Sequence, residues 1–149
     1  MQQITLPTYK NNVKMQAPTQ LRDKRILIVD DAASIRMLIQ ALLLDAGYKK
    51  VNQAEDGKYA LQHLKKCHTD LIICDWNMPG MSGLELFNQM GKNPELHNIG
   101  FIMLTSSAEG EKVKEAINCG VTSYILKPFK PEALLQNVAN CLSEEPDGR

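Results

Sequence analysis

Leu71-Ile72-Ile73-Cys74-Asp75 decides the fold: four apolar residues in a row, then an acid. The same shape recurs along the chain. Ile26-Leu27-Ile28-Val29 runs into Asp30-Asp31, Phe101-Ile102-Met103-Leu104 into Thr105, and Tyr124-Ile125-Leu126 into Lys127. Short unbroken apolar runs, separated by segments of helical periodicity, read as strands of a parallel sheet buried on both faces. In an open sheet of that kind ligands gather beyond the carboxyl ends of the strands. Three acids, a hydroxyl and an ammonium from four strands are therefore expected to meet on one edge. That combination suits a divalent cation and a phosphoryl group.

Working outward, the segments between the runs are helical. Ile35, Leu38, Ile39, Leu42 and Leu43 repeat at the spacing of one helix face, and Gly47 ends that helix. A weaker strand is expected near Lys50 to Ala54, after which Asp56-Gly57 opens a helix that buries Ala60, Leu61 and Leu64. Pro79-Gly80 makes a turn, and Ser82-Gly83-Leu84-Glu85 has capping-box spacing. A fourth helix, around Glu109 to Cys119, is expected to set Val113, Ala116 and Ile117 on one face. The last strand spans Thr122 to Leu126, and Pro131 begins a final helix carrying Leu134, Leu135, Val138, Ala139 and Leu142. Five βα units imply an α/β fold, a doubly wound parallel sheet with right-handed crossovers and the flavodoxin-like order 2-1-3-4-5.

Composition narrows the function. The chain has 149 residues, 44% hydrophobic and 23% charged, enough for one domain with a sizeable core. Lys+Arg and Asp+Glu both number 17, so no global field favours nucleic acid or an anionic membrane. The N-terminus lacks the cationic start and apolar core of a secretory signal. Cys67, Cys74, Cys119 and Cys141 lack CxxC spacing and read as reduced thiols of a cytoplasmic protein. His63, His68 and His97 have no ligand spacing to one another. Residues 1–20, with Pro7 and Pro18 and no periodicity, read as a flexible or loosely docked arm, residues 21–143 as the domain, and 144–149 as a polar tail.

The acids carry the chemistry. Three adjacent carboxylates raise one another's pKa, and a hard divalent cation resolves that conflict. Oxygen-only ligands with room for water suit Mg2+. Asp75 is the candidate nucleophile, since a carboxylate can take a phosphoryl group as an aspartyl phosphate. Its transfer needs positioning and charge neutralisation, for which the Thr105 hydroxyl and the Lys127 ammonium are placed.

Val29-Asp30-Asp31, the run from Asp75 to Gly83, Thr105-Ser106 and Tyr124-Ile125-Leu126-Lys127-Pro128-Phe129 together resemble the receiver domain of two-component response regulators, notably the stand-alone chemotaxis type. The resemblance covers roughly Lys24 to Leu142, with every motif in order. It implies that a partner histidine kinase phosphorylates Asp75. It implies Mg2+ held by Asp31, Asp75 and the backbone carbonyl of Asn77, with Asp30 acting mostly through water. Thr105 and Tyr124 would form the switch pair: Thr105 turns to the phosphoryl oxygen and Tyr124 rotates into the space it leaves. The face made by the fourth helix, fifth strand and fifth helix would change as a result. Lys127-Pro128 is expected to be cis, Asn77 and Ser107 to flank the path of attacking water, and Trp76 to report metal binding.

With no further domain after the final helix, output is expected to be a protein contact, and the chain a phosphoacceptor rather than an enzyme. Two targets compete, a flagellar motor switch and a histidine phosphotransfer protein served by a phosphoryl shuttle. The Asp-Trp-Asn-Met-Pro run favours the first. The long arm and Glu109-Gly110, where chemotaxis regulators tend to carry basic residues, depart from it. A magnesium-dependent aspartyl-phosphate phosphatase would want an acid at Asn77. A flavin or nucleotide module would want glycine and backbone amides where Asp30-Asp31 stands.

Overall fold

The computed structural model describes residues 15–106, 110–121 and 123–144, without the side chains of 110–113. Five strands alternate with five helices: Arg25–Val29 (β1), Ala33–Ala46 (α1), Lys50–Ala54 (β2), Gly57–Lys66 (α2), Leu71–Asp75 (β3), Gly83–Gly91 (α3), Gly100–Ser106 (β4), Gly110–Cys119 (α4), Ser123–Lys127 (β5) and Pro131–Ser143 (α5). The strands are parallel and ordered β2-β1-β3-β4-β5. This is the doubly wound, flavodoxin-like sheet that the apolar runs imply.

Alternation along the strands divides the core in two. Ile26, Ile28, Leu71, Ile73, Ile102, Leu104 and Ile125 pack with α1 and α5. Leu27, Val29, Ile72, Cys74, Phe101 and Met103 pack with α2, α3 and Ala116 of α4. Both faces of the central strands are covered, so their residues are apolar at every position rather than at every second one. One register row runs Val29, Cys74, Met103, Tyr124. Asp30 and Asp75 each stand one residue beyond that row.

The helix ends obey local chemistry. Asp56 caps α2 by accepting from the Tyr59 amide, and Ser82 and Glu85 form a complete capping box at α3. Gly47 closes α1 at φ 113°, a left-handed conformation that glycine adopts without strain.

Three expectations need correction. Leu38 is 48% exposed and Ile117 49% exposed. On α1 the buried stripe is Ile39, Leu43 and Ala46, flanked by Ile35 and Leu42, so Leu38 has turned past its edge. The packed chain also begins before residue 21. Met15, Ala17 and Leu21 are buried against the α1/α5 face, the Ala17 amide donates to Ala46 O at 2.7 Å, and Arg22 Nε donates to Ala17 O. That segment turns through a short 3-10 helix, Thr19–Leu21, which carries no helical period for sequence reading to detect. Residues 1–14 of the expected arm, residues 145–149 of the tail, Glu109, Thr122 and the Val113 side chain lie outside the described residues.

Candidate functional site

The acids meet where the fold puts them. Asp30 and Asp31 follow β1, Asp75 ends β3, and β1 and β3 are neighbours in the sheet. One oxygen from each of the three lies within 4.8 Å of the others, with Asp30 and Asp75 buried and Asp31 exposed. Asp30 Oδ1 accepts from the Ala32 amide at 2.8 Å, while its Oδ2 is buried with no hydrogen-bond partner. Burial pushes the Asp30 carboxyl above its usual range; the Ala32 amide opposes that, the Asp75 charge adds to it, Lys127 opposes it and Asp31 adds to it. A buried oxygen without a donor, inside a set of three carboxylates, fits a hard divalent cation such as Mg2+.

Lys127 reaches this cluster from two strands away. Its Nζ lies 2.6 Å from Asp75 Oδ1. Strands β3 and β5 flank β4, so the side chain crosses two strand spacings of about 4.8 Å each. Only a long side chain at the end of β5 spans that gap. Thr105 sits on the strand that Lys127 crosses, one residue beyond the partner of Asp75, and is 1% exposed.

Register also relates Thr105 to Tyr124. Partners in adjacent parallel strands project to the same side, and Tyr124 pairs with Met103, two residues before Thr105. The two expected switch residues therefore share the α4 side of the sheet. One is buried and the other, Tyr124, is 41% exposed.

The loop after β3 is anchored at both ends. The Trp76 amide donates to Leu104 O at 2.9 Å and the Gly83 amide to Trp76 O at 2.9 Å. Trp76 and Met78 are buried, Asn77 between them is exposed, and Gly80 turns the chain at φ 81°. Lys127-Pro128 is cis. Ser107 lies outside the described residues. The histidines stand elsewhere: His68 bonds Asp70 and His97 bonds Gly91 O.

Two residues that bear on the site escaped the sequence reading. Gly83 was legible as part of a capping box, but its close approach to the end of β3 depends on tertiary packing. Arg36, six residues after Asp30, donates from a guanidinium nitrogen to the Asp30 carbonyl at 2.6 Å. Its position one turn into the helix behind an acid pair was the available signal.

Comparison with known proteins follows the same residues. The family model described as the response regulator receiver domain matches residues 26–139. The chain is similar to chemotaxis protein CheY-3 of Vibrio cholerae, 38% identical over 117 residues that span 78% of this chain and 90% of that protein. It is similar to chemotaxis protein CheY of Pseudomonas aeruginosa, 36% identical over 76% of this chain and 92% of that protein. Its structure resembles that of chemotaxis response regulator CheY4 of Vibrio cholerae, with TM-score 0.74 and 38% identity, covering 80% of this chain and 99% of that one. A sheet ordered 2-1-3-4-5, with its acids, threonine and lysine at one edge and the family match running through all of them, places this chain in the response regulator receiver domain family, CheY-like among its members.

Proposed function

We propose that the chain is a single-domain switch of a two-component system, which accepts a phosphoryl group on Asp75 from a histidine kinase and thereby changes its affinity for a protein target in chemotaxis or motility. The observation that carries this reading is the contact of Lys127 Nζ with Asp75 Oδ1 at 2.6 Å, beside the cluster of Asp30, Asp31 and Asp75. A nucleophilic carboxylate, a cation for one phosphoryl oxygen and donors for a metal stand together.

In the transfer, an Asp75 oxygen attacks phosphorus as the N–P bond of the kinase phosphohistidine breaks, and the departing imidazole takes up a proton. Asp31, Asp75 and the Asn77 carbonyl, with Asp30 through water, would hold Mg2+, which would neutralise phosphoryl charge. Lys127 pairs with a second oxygen, and the Thr105 hydroxyl donates to a third. Turning Thr105 toward the phosphoryl group vacates space on the α4 side of the sheet, where Tyr124 stands half out in solvent. Rotation of Tyr124 into that space would reshape the face of α4, β5 and α5, on which Ile117 and Leu126 are also exposed. The naming of the curated relatives as chemotaxis proteins supports that biological setting.

The test is labelling with acetyl phosphate and Mg2+ followed by intact-mass measurement. One added phosphoryl group is expected for the natural chain and none for Asp75→Asn or Asp31→Ala. Normal labelling of Asp75→Asn would overturn the assignment.

A further inference from the structure

The acid turn is tied to the far edge of the sheet by a relay of side chains. Arg36 donates from one terminal guanidinium nitrogen to the Asp30 carbonyl at 2.6 Å and from Nε to Gln53 Oε1 at 2.9 Å. Gln53 Nε2 donates to Gln40 Oε1 at 2.8 Å, and Gln40 Nε2 to Val51 O at 3.1 Å. The relay thus runs from the metal-site turn, through α1, to the backbone of β2, the edge strand. Each member is partly buried, where such bonds are stronger than in water.

The carbonyl that Arg36 holds belongs to the peptide unit joining Asp30 to Asp31. Fixing that oxygen fixes the plane of the peptide, and with it the point from which the Asp31 side chain departs. Asp31 is exposed, so burial does little to hold it in place. The turn has two other ties, the Asp30 amide to Ala54 O at 3.2 Å and the Ala32 amide to Asp30 Oδ1 at 2.8 Å. The first grips Asp30 and the second closes a turn across Asp31; among the described residues, Arg36 is the one side chain seen to hold the carbonyl of the peptide that joins them. We infer that Arg36 is a positioning residue for the metal-binding acids, anchored by Gln53 and Gln40, and that it sets the affinity of the site for divalent cations. This rests on the reading of Asp30, Asp31 and Asp75 as metal ligands.

Arginine suits the task for a geometric reason. Its planar fork offers donors at fixed angles and serves the carbonyl and the Gln53 amide at once, whereas a lysine ammonium is a single flexible point. Partners of metal ligands typically change affinity by about 10–100-fold when removed.

The experiment uses the full chain and Mn2+ as probe, with free Mn2+ counted by electron paramagnetic resonance and Mg2+ added as competitor. The variants are Arg36→Met, Arg36→Lys, Gln53→Met and Asp31→Ala, each checked for folding by thermal unfolding without metal. Arg36→Met is expected to weaken Mn2+ binding about tenfold or more. Gln53→Met, which keeps the arginine but frees it, is expected to weaken binding less, and Arg36→Lys not to restore it. A folded Arg36→Met or Gln53→Met protein that binds Mn2+ as the natural chain does would overturn the inference and leave the relay as a staple between α1 and β2. Failure of the natural chain itself to bind Mn2+, or unchanged binding in Asp31→Ala, would instead overturn the metal reading beneath it.

Discussion

Gly83 stands against Asp75 so closely that a Cβ built on it would lie 2.5 Å from the Asp75 carbonyl oxygen. The same atom would lie 2.8 Å from Met103 Sδ and 3.2 Å from Trp76 Cα. The methionine can move; the backbone of β3 cannot without shifting the candidate site. Gly83→Ala is therefore expected to destabilise the fold by about 1–3 kcal/mol, the usual range for overpacking. Urea unfolding measures it, and an unchanged midpoint would show that α3 can back away.

Lys127 contacts Asp75 and cannot itself be a metal donor while charged, so its removal separates two events. Lys127→Ala is expected to keep Mn2+ affinity within about threefold of the natural chain, since loss of a cation beside carboxylates does not weaken their hold on another cation. Coupling should suffer instead. Beryllofluoride, a mimic of the phosphoryl group, should alter amide hydrogen exchange in β4 and β5 of the natural chain and leave it nearly unaltered in the variant. Loss of metal binding in Lys127→Ala would contradict this division.

Thr105 and Tyr124 share one side of the sheet, with the threonine buried and the tyrosine half exposed. Thr105→Ala should still accept a phosphoryl group, because Asp75 and the other acids remain. The exchange response of β5 to beryllofluoride should fall to a small fraction of its normal size. A full response would mean that the signal leaves the site by another route.

A pH dependence follows from Asp70, which lies at the opposite end of the sheet from the acids. Burial alone would raise its pKa, but the Arg25 amide at 2.8 Å and His68 at 2.9 Å more than offset this, and the net shift is downward. A carboxyl with a lowered folded-state pKa contributes stability above its unfolded value of 3.8, and loses it as pH falls through the folded value. Asp70→Ala should thus cost about 1 kcal/mol at neutral pH, the bond being partly exposed, and progressively less once pH drops below 3.8. Denaturant midpoints across pH would show it; a constant difference down to the acid limit would refute the linkage.

Much of this was legible because parallel strands buried on both faces are written as unbroken apolar runs. Val29, Cys74 and Met103 fall in one register row, and the residues just beyond such a row are those that a site at the carboxyl edge must use. Asp30, Asp75, Thr105 and Lys127 could therefore be picked out by position alone. Helix faces were less certain, because an apolar residue one step beyond the stripe, such as Leu38, has the same spacing as a buried one. The docked segment from Met15 to Leu21 is held by a few anchors and backbone bonds, which leave no periodic trace. Gly83 was not legible as a site residue, and Arg36 only through its place one turn into the helix behind the acid pair; the importance of each lies in a distance to one carbonyl oxygen, which tertiary structure sets.

The central claim is that Asp75 itself carries the phosphoryl group, and borohydride tests it most directly. Acyl phosphates are reduced to alcohols by this reagent, so the chain treated with acetyl phosphate and Mg2+ and then reduced should contain homoserine in place of Asp75, located by peptide mass spectrometry. Homoserine at another aspartate, or none in a chain whose intact mass shows the added phosphoryl group, would contradict the account.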